Sequence, residues 1–172
     1  MKSLGLSGKA WLGHNMSNAI KVRVFNITDL EQVLKLFYET VHTVNASDYS
    51  QEQRDAWAPK NLDRKRWKTM LLTSYTYVVE QGNQILGFGS LTTNGTLDHI
   101  FVHKDHQGQG VGKLLLATLE GKAREQNLRE ITTEASITAQ PFFLENGYAV
   151  VKQQEKVVHN VAMPNVVMKK EL

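Results

Sequence analysis

Cysteine is absent from the 172 residues. That removes thiol nucleophiles, thiolate metal sites and disulfides together, and it suits a cytoplasmic protein. Long apolar runs are also missing. None approaches the roughly 20 residues that a membrane span requires, so no membrane partner is expected. The first residues carry Lys2 and Lys9 but no continuous apolar core, which argues against a secretory signal. Without export, the sequon Asn26-Ile27-Thr28 has no consequence. Strong charge of one sign is lacking as well. The formal net charge is +3 and the sequence pI is about 9.1. This suits an anionic ligand without the clustered footprint of a nucleic-acid binder. The one basic cluster, Lys60, Arg64, Lys65, Arg66 and Lys68, is broken by Asp63 and reads as a solvated helix face. No internal repeat or linker divides the chain.

What is present fits one domain. A chain of this length buries roughly 70% of its unfolded surface and needs no staple. Met1 to Asn15 is aperiodic and contains Gly and Ser. It reads as a flexible tail or tag-like extension reaching residue 20, with Met16 as an alternative start, and the domain then covers residues 21–172. Lys21 to Phe25 reads as a strand. Thr28 with Glu31 reads as a capping box before a helix striped by Leu30, Val33, Leu34, Phe37 and Val41. Ser50 with Gln53 resembles a second box, for a short helix ending before Pro59. Asn61 is expected to cap a third helix, carrying Trp67, Met70 and Leu71. Ser74 to Glu80 and Gln84 to Leu91 flank the hairpin signal Gly82-Asn83, and Asn94-Gly95 gives another. The strand Leu97 to Val102 follows, then a helix with Val111, Leu114, Leu115, Thr118, Leu119 and Lys122 on one face. Glu130 to Ala135 returns as a strand parallel to Leu97–Val102. A short helix over about Thr138 to Glu145 stops at Asn146-Gly147. Two more strands pass through Val150-Val151 and Val166 to Met168, and Pro164 marks the last as edge or bulged.

The most informative stretch is Gln107-Gly108-Gln109-Gly110-Val111-Gly112, between that apolar strand and the helix it opens. Amides at a helix N-terminus have no intrahelical partner and face a favourable dipole, so such a turn suits a phosphate. Three phosphate loops compete, and spacing separates them. The dinucleotide fingerprint G-x-G-x-x-G fits Gly108 and Gly110, but its third glycine falls on Lys113. The P-loop G-x-x-x-x-G-K-[ST] fits Gly112-Lys113, but Gln107 and Leu114 fill its first and last positions. The Q/R-x-x-G-x-G/A loop that cradles the pyrophosphate of coenzyme A fits at Gln107, Gly110 and Gly112.

With this loop the chain resembles the GNAT superfamily of acyl-CoA N-acyltransferases, and more of the pattern follows in order. Leu97 to Val102 stands for the family's fourth strand, and Gly87-Phe88-Gly89 resembles its third. Ala139, Phe143, Gly147 and Tyr148 fit the later A-x-x-x-Y-x-x-x-G-F/Y pattern with one departure. The resemblance runs from about Lys21 to the C-terminus. It implies an α/β (α+β) fold: a mixed, mostly antiparallel sheet of six to seven strands, helices on both faces and a splayed central parallel pair. It implies acetyl-CoA as co-substrate and an N-acetyltransferase that acetylates a primary amine by direct attack in a ternary complex. The alternative is a non-catalytic coenzyme A-binding sensor or regulatory module.

Carried over residue by residue, the resemblance places the pantetheine arm against backbone groups of Ile100, Phe101 and Val102. The pyrophosphate falls on Gln107, Gly108, Gln109, Gly110, Val111, Gly112 and Lys113, and an oxyanion donor lies near Phe101 or Val102. The general base is Asp98, His99 or Glu134. Asp98 and His99 are adjacent, so on a regular strand only one of them faces the cleft. Two positions depart from the pattern beside the cofactor. Phe143 replaces the usual tyrosine acid and has no proton to give, and Ser136 replaces the usual asparagine. Water or a tyrosine elsewhere, Tyr49, Tyr77 or Tyr148, is left as the acid. His42, Thr43, Asn45, Asp48, Tyr49 and Trp57 are the candidates for acceptor recognition, of a small-molecule or peptide amine. His99-x-x-x-His103 and His103-x-x-His106 lack the glutamate of a zincin helix and sit on strand and loop, so no metal is expected. The chain is read as a monomer or homodimer.

Overall fold

The computed structural model describes residues 18–172. Most of the expected extension over residues 1–20 therefore lies outside the described residues. The chain runs β1 (Lys21–Val24), α1 (Leu30–Thr43), α2 (Gln51–Trp57), α3 (Arg64–Thr73), β2 (Tyr75–Gln81), β3 (Gln84–Leu91), β4 (Thr96–Val102), α4 (Val111–Glu125), β5 (Glu130–Ser136), α5 (Gln140–Glu145), β6 (Ala149–Val158) and β7 (Val161–Glu171). Ser50 and Gln53 form the expected capping box on α2. Two other caps move. The box before α1 is Asn26 with Asp29, not Thr28 with Glu31, because a 3₁₀ turn precedes the helix. The Asn26 side chain accepts from the Thr28 N–H at 3.0 Å, and the Asp29 carboxylate accepts from the Asn26 N–H at 2.8 Å. Arg23 fixes Asp29 further with two bonds of 2.8 and 2.9 Å. The cap of α3 is Asp63, which accepts from the Arg66 N–H at 3.0 Å, rather than Asn61.

One seven-stranded sheet has the order β1-β2-β3-β4-β5-β7-β6. Its pairs are antiparallel except β4 with β5. Strand alternation divides the core between two faces. Val78, Ile85 and Phe88 pack with α1 and α3, while their neighbours Val79 and Leu86 pack with Val111 and Leu115 of α4. β7 is interior, not an edge. Pro164 is tolerated there because β5 ends first: the β5–β7 ladder stops at Ser136↔Asn165, so the missing N–H falls where no strand waits.

Glycine in β3 brings α4 close. A Cβ on Gly87 would stand 2.7 Å from Val111 Cγ1 and 3.0 Å from the Phe101 carbonyl oxygen. Gly87→Val is therefore expected to lose about 1–3 kcal/mol through overpacking. A chemical-denaturation midpoint unchanged from wild type would refute this close approach.

The parallel pair is what shapes the site. β4 and β5 are joined only at Thr96↔Thr132 and Leu97↔Thr133. The Thr133 hydroxyl donates to the Leu97 carbonyl at 2.9 Å, at the point of divergence. From Asp98 and Glu134 onward the strands part. β4 stays with β3 and β5 follows β7.

Candidate active site

The glycine loop has the backbone that a phosphate cradle needs. Gly108 and Gly110 adopt φ of +70 and +83, a region costly for side-chain-bearing residues. A Cβ on either would meet nothing within 4 Å, so they supply conformation and open access rather than packing. Gly110 is the N-cap of α4. The first intrahelical bond runs from Leu114 N–H to Gly110 O at 3.0 Å. The amides of Val111, Gly112 and Lys113 thus belong to the unpaired first turn. Gln107 faces back to the strand and donates to the Val102 carbonyl at 2.7 Å. That carbonyl also accepts from the Thr40 hydroxyl at 2.9 Å. Gln109 is tied to His106 Nδ1 at 3.2 Å. Among the described residues no group of three or more His, Cys, Asp or Glu side chains is placed to hold a metal ion.

β4 carries a bulge at the divergence. Ser90 pairs with His99 and Leu91 with Leu97, leaving Asp98 as the extra residue. A bulge re-aims side chains and breaks strict alternation. Leu97 packs on the α4 side, whereas His99 joins Trp67 and Phe88 at ring distances of 4.9 and 5.9 Å on the opposite side. Beyond the bulge, main-chain direction can be followed. His103 N–H bonds Leu86 O at 2.8 Å, and the Phe101 and His99 carbonyls lie against Gly87 and Gly89 of β3. The backbone of Phe101 therefore serves β3, and that of Ile100 and Val102 faces the gap. Phe101 drops from the expected backbone set. It contributes its ring instead, 5.0 Å from Phe37 and 6.0 Å from Trp57.

The structure separates the expected bases. His99 Nδ1 is hydrogen-bonded to the Ser90 hydroxyl at 2.7 Å. Burial pushes its imidazole down to about 4. It is a neutral, partly buried residue packed on Trp67 and Phe88, and the bulge is the reason the sequence did not show its side. Asp98 and Glu134 both stand at the opening of the gap. Desolvation pushes the Asp98 carboxyl above its ordinary value, Lys156 opposes this, and Glu134 adds to it. Glu134 moves the other way. The hydrogen bond from Lys156, at 2.9 Å, is the main cause, opposed by burial and aided by Gln154 and Lys152. The Asp98 carboxyl is thus shifted up and that of Glu134 down.

The expected acceptor residues mostly serve as ties. The Tyr49 hydroxyl donates to Pro164 O at 2.7 Å and accepts from Ile137 N–H at 2.9 Å. Asp48 accepts from the Thr138 hydroxyl at 2.7 Å. Together they bind the α1–α2 connection to the end of β5 and to β7. His42 Nε2 bonds Ala58 O at 2.8 Å, past the end of α2, and His159 at the β6–β7 tip bonds Ala56 O at 2.8 Å. Thr43 is spent on Glu39 O at 2.7 Å, and Asn45 is buried. Trp57 is half-buried between Tyr49, 5.5 Å away, and Phe101.

No tyrosine proposed as a proton donor is placed to act as one. Tyr49 has its hydroxyl engaged as above. Tyr148 bonds buried Glu120 at 3.2 Å, and burial, then Glu120, pushes its hydroxyl up. Tyr77 packs on the α4 side of β2. Phe143 does not line the gap. It is 2% exposed, in the core against Tyr148 at 5.1 Å. Its neighbour Phe142 reaches the loop instead: its ring would lie 3.4 Å from a Cβ on Gly112. The Ser136 hydroxyl accepts from Ala139 N–H at 3.1 Å and shapes the turn into α5. Lys156, Gln154 and Phe142 were not anticipated, because the first two act through register across strands and Phe142 through packing of α5 on the start of α4, not through local spacing.

Known proteins with the same features bear on this geometry. Residues 45–172 match the family profile "Acetyltransferase (GNAT) domain". The chain is 34% identical over 137 residues to the uncharacterized N-acetyltransferase YafP of Escherichia coli K12, covering 80% of this chain and 86% of that one. Among solved structures, a GCN5-related N-acetyltransferase from Rhodopseudomonas palustris superposes with TM-score 0.86 and 28% identity over 88% of this chain and 95% of that one. YncA of Salmonella typhimurium, solved with acetyl-CoA, gives TM-score 0.68 and 19% identity over 90% and 95%, a likeness of fold alone. The fold is that of an acetyltransferase. The chain belongs to the GNAT acetyltransferase family.

Proposed function

We propose that the protein transfers an acetyl group from acetyl-CoA to a primary amine within a ternary complex, through a single domain over residues 21–172. The carrying observation is a parallel β4–β5 pair that parts after two rungs beside the glycine loop opening α4. The residues fit the cofactor. Gly108 and Gly110 hold an open backbone cradle, and the first-turn amides of α4 are donors for the pyrophosphate. The gap-facing N–H and C=O of Ile100 and the N–H of Val102 offer a strand edge to the pantetheine amides and a donor for developing negative charge. The acetyl thioester supplies the activated carbonyl. Asp98 takes the proton of the attacking amine, directly or through water, while the thioester C–S bond breaks and coenzyme A leaves as a thiolate that takes its proton from water; the Glu134 carboxylate favours a cationic acceptor. The acetyl-CoA bound to the YncA neighbour supports the same ligand here.

A thermal-shift comparison of acetyl-CoA, free coenzyme A, NAD and ATP tests the ligand. A species at 100 times its Kd adds about 2.7 kcal/mol, or roughly 5–10 °C for this size. Acetyl-CoA and coenzyme A are expected to shift the protein by that amount, and NAD and ATP not. Thiol release is then followed on a panel of primary amines. An acetyl-CoA shift with no turnover on any amine would overturn the transferase reading.

A further inference from the structure

Among the described residues, one buried side-chain polar atom has no hydrogen-bond partner: Asn165 Oδ1. Buried polar atoms are nearly always paired, so such an atom calls for an explanation. Its place in the sheet offers one. Asn165 lies on β7 opposite Ser136 of β5 and Gln154 of β6. Its neighbour Val166, with Met168, packs on the α4 side. Asn165 therefore faces the other way, on the face that carries Glu134. Glu134 stands opposite Val167, and Lys156 opposite Met163. Their ion pair thus crosses β7 diagonally at the level of Asn165. Both partners are well exposed, with side chains 56% and 45% accessible, and a surface pair of this kind is weak and easily opened. Neither neighbouring hydroxyl is bonded to Asn165 Oδ1: that of Tyr49 is committed to Pro164 O and Ile137 N–H, and that of Ser136 accepts from Ala139 N–H. Asn165 sits on the last rung of the β5–β7 ladder, between the acidic opening of the gap and the Tyr49 tie.

We infer that Asn165 is an acceptor-binding residue: its Oδ1 takes a hydrogen bond from an N–H or O–H of the incoming amine, with Glu134 accepting beside it. Two acceptors side by side select a primary amine that carries a second donor, another ammonium or a hydroxyl. A carboxylate in the same place would meet Oδ1 and Glu134 and be repelled. The inference rests on the transferase reading and names the chemistry of its acceptor.

The test uses Asn165→Leu and Asn165→Asp in the full chain. In the ligand-free protein, Asn165→Leu removes an unpaired group at similar volume, and Tm is expected to rise by roughly 2–8 °C. The acetyl-CoA thermal shift stays as in wild type. Turnover is measured on matched amines with and without a second amine or hydroxyl. Wild type favours the member with the second donor. Asn165→Leu raises KM for that member by roughly 10–100-fold with a smaller change in kcat, and Asn165→Asp restores it. A Tm that falls or stays level in Asn165→Leu overturns the inference, as does an unchanged KM where wild type is active. Wild-type inactivity on the whole panel ends the transferase reading, and this one with it.

Discussion

Asp98→Asn is expected to lower kcat by about 100–10,000-fold, the usual worth of a general base, with the acetyl-CoA thermal shift unchanged. The argument starts from backbone. The bulge places Asp98 as the unpaired extra residue of β4 where β5 turns away, so its side chain is held at the opening by main-chain geometry. Desolvation and Glu134 then move its carboxyl above the ordinary aspartate value, against the pull of Lys156. A raised carboxyl is a stronger base, and its activity is present above its pKa and lost below it. The acid limb of kcat/KM should accordingly lie above the ordinary aspartate range and vanish in Asp98→Asn. His99→Gln serves as the contrast. Its imidazole is already neutral at working pH and bonded to Ser90, so the substitution should reduce stability without moving the acid limb. An acid limb that follows His99 and ignores Asp98 would reverse the assignment.

The division between what local sequence conveys and what it hides is physical. The loop was legible because Gly110 and Gly112 act through contiguous backbone, the Gln107 side chain reaches back only to nearby Val102 O, and helix-start amides need no distant partner. The Gly82-Asn83 turn was legible for the same reason, with φ of +60 at Gly82. The β6–β7 turn was not. His159 and Asn160 both take positive φ, +45 and +63, without a glycine, and His159 is held there by a tertiary bond to Ala56 O. β6 was only half visible, because its exposed outer strand carries no apolar alternation through Lys152 to Lys156. Pro164 pointed to an edge for a sound local reason, yet the free edge is made by β5 ending early, which no residue in β7 records. The same holds at the site. The sides taken by His99 and Phe101 depend on one bulge, and Asn165 matters only through its register with β5 and β6.

Tyr49→Phe should be the most destabilising conservative change in the acceptor region, and the reason lies in that free edge. The Tyr49 side chain is 4% exposed, and its hydroxyl serves two main-chain groups at once, Pro164 O and Ile137 N–H. Burial pushes the hydroxyl up, so it stays protonated and keeps donating at any working pH. Phenylalanine keeps the ring beside Trp57 and removes both bonds, leaving a carbonyl and an amide unpaired. Each such orphan costs about 1–3 kcal/mol, and the pair corresponds to a fall in Tm of roughly 5–15 °C in a chain of this size. The loss is also directional. Pro164 belongs to β7 and Ile137 to the turn after β5, so the hydroxyl fixes how far the two sides stand apart next to Asn165. The glycine loop lies on α4 and does not depend on this tie. Acceptor KM should therefore rise in Tyr49→Phe while the acetyl-CoA thermal shift persists. A variant within about 1 °C of wild type, on the scale of a neutral surface change, would mean that water replaces the hydroxyl and that the tie does not set the width of the acceptor site.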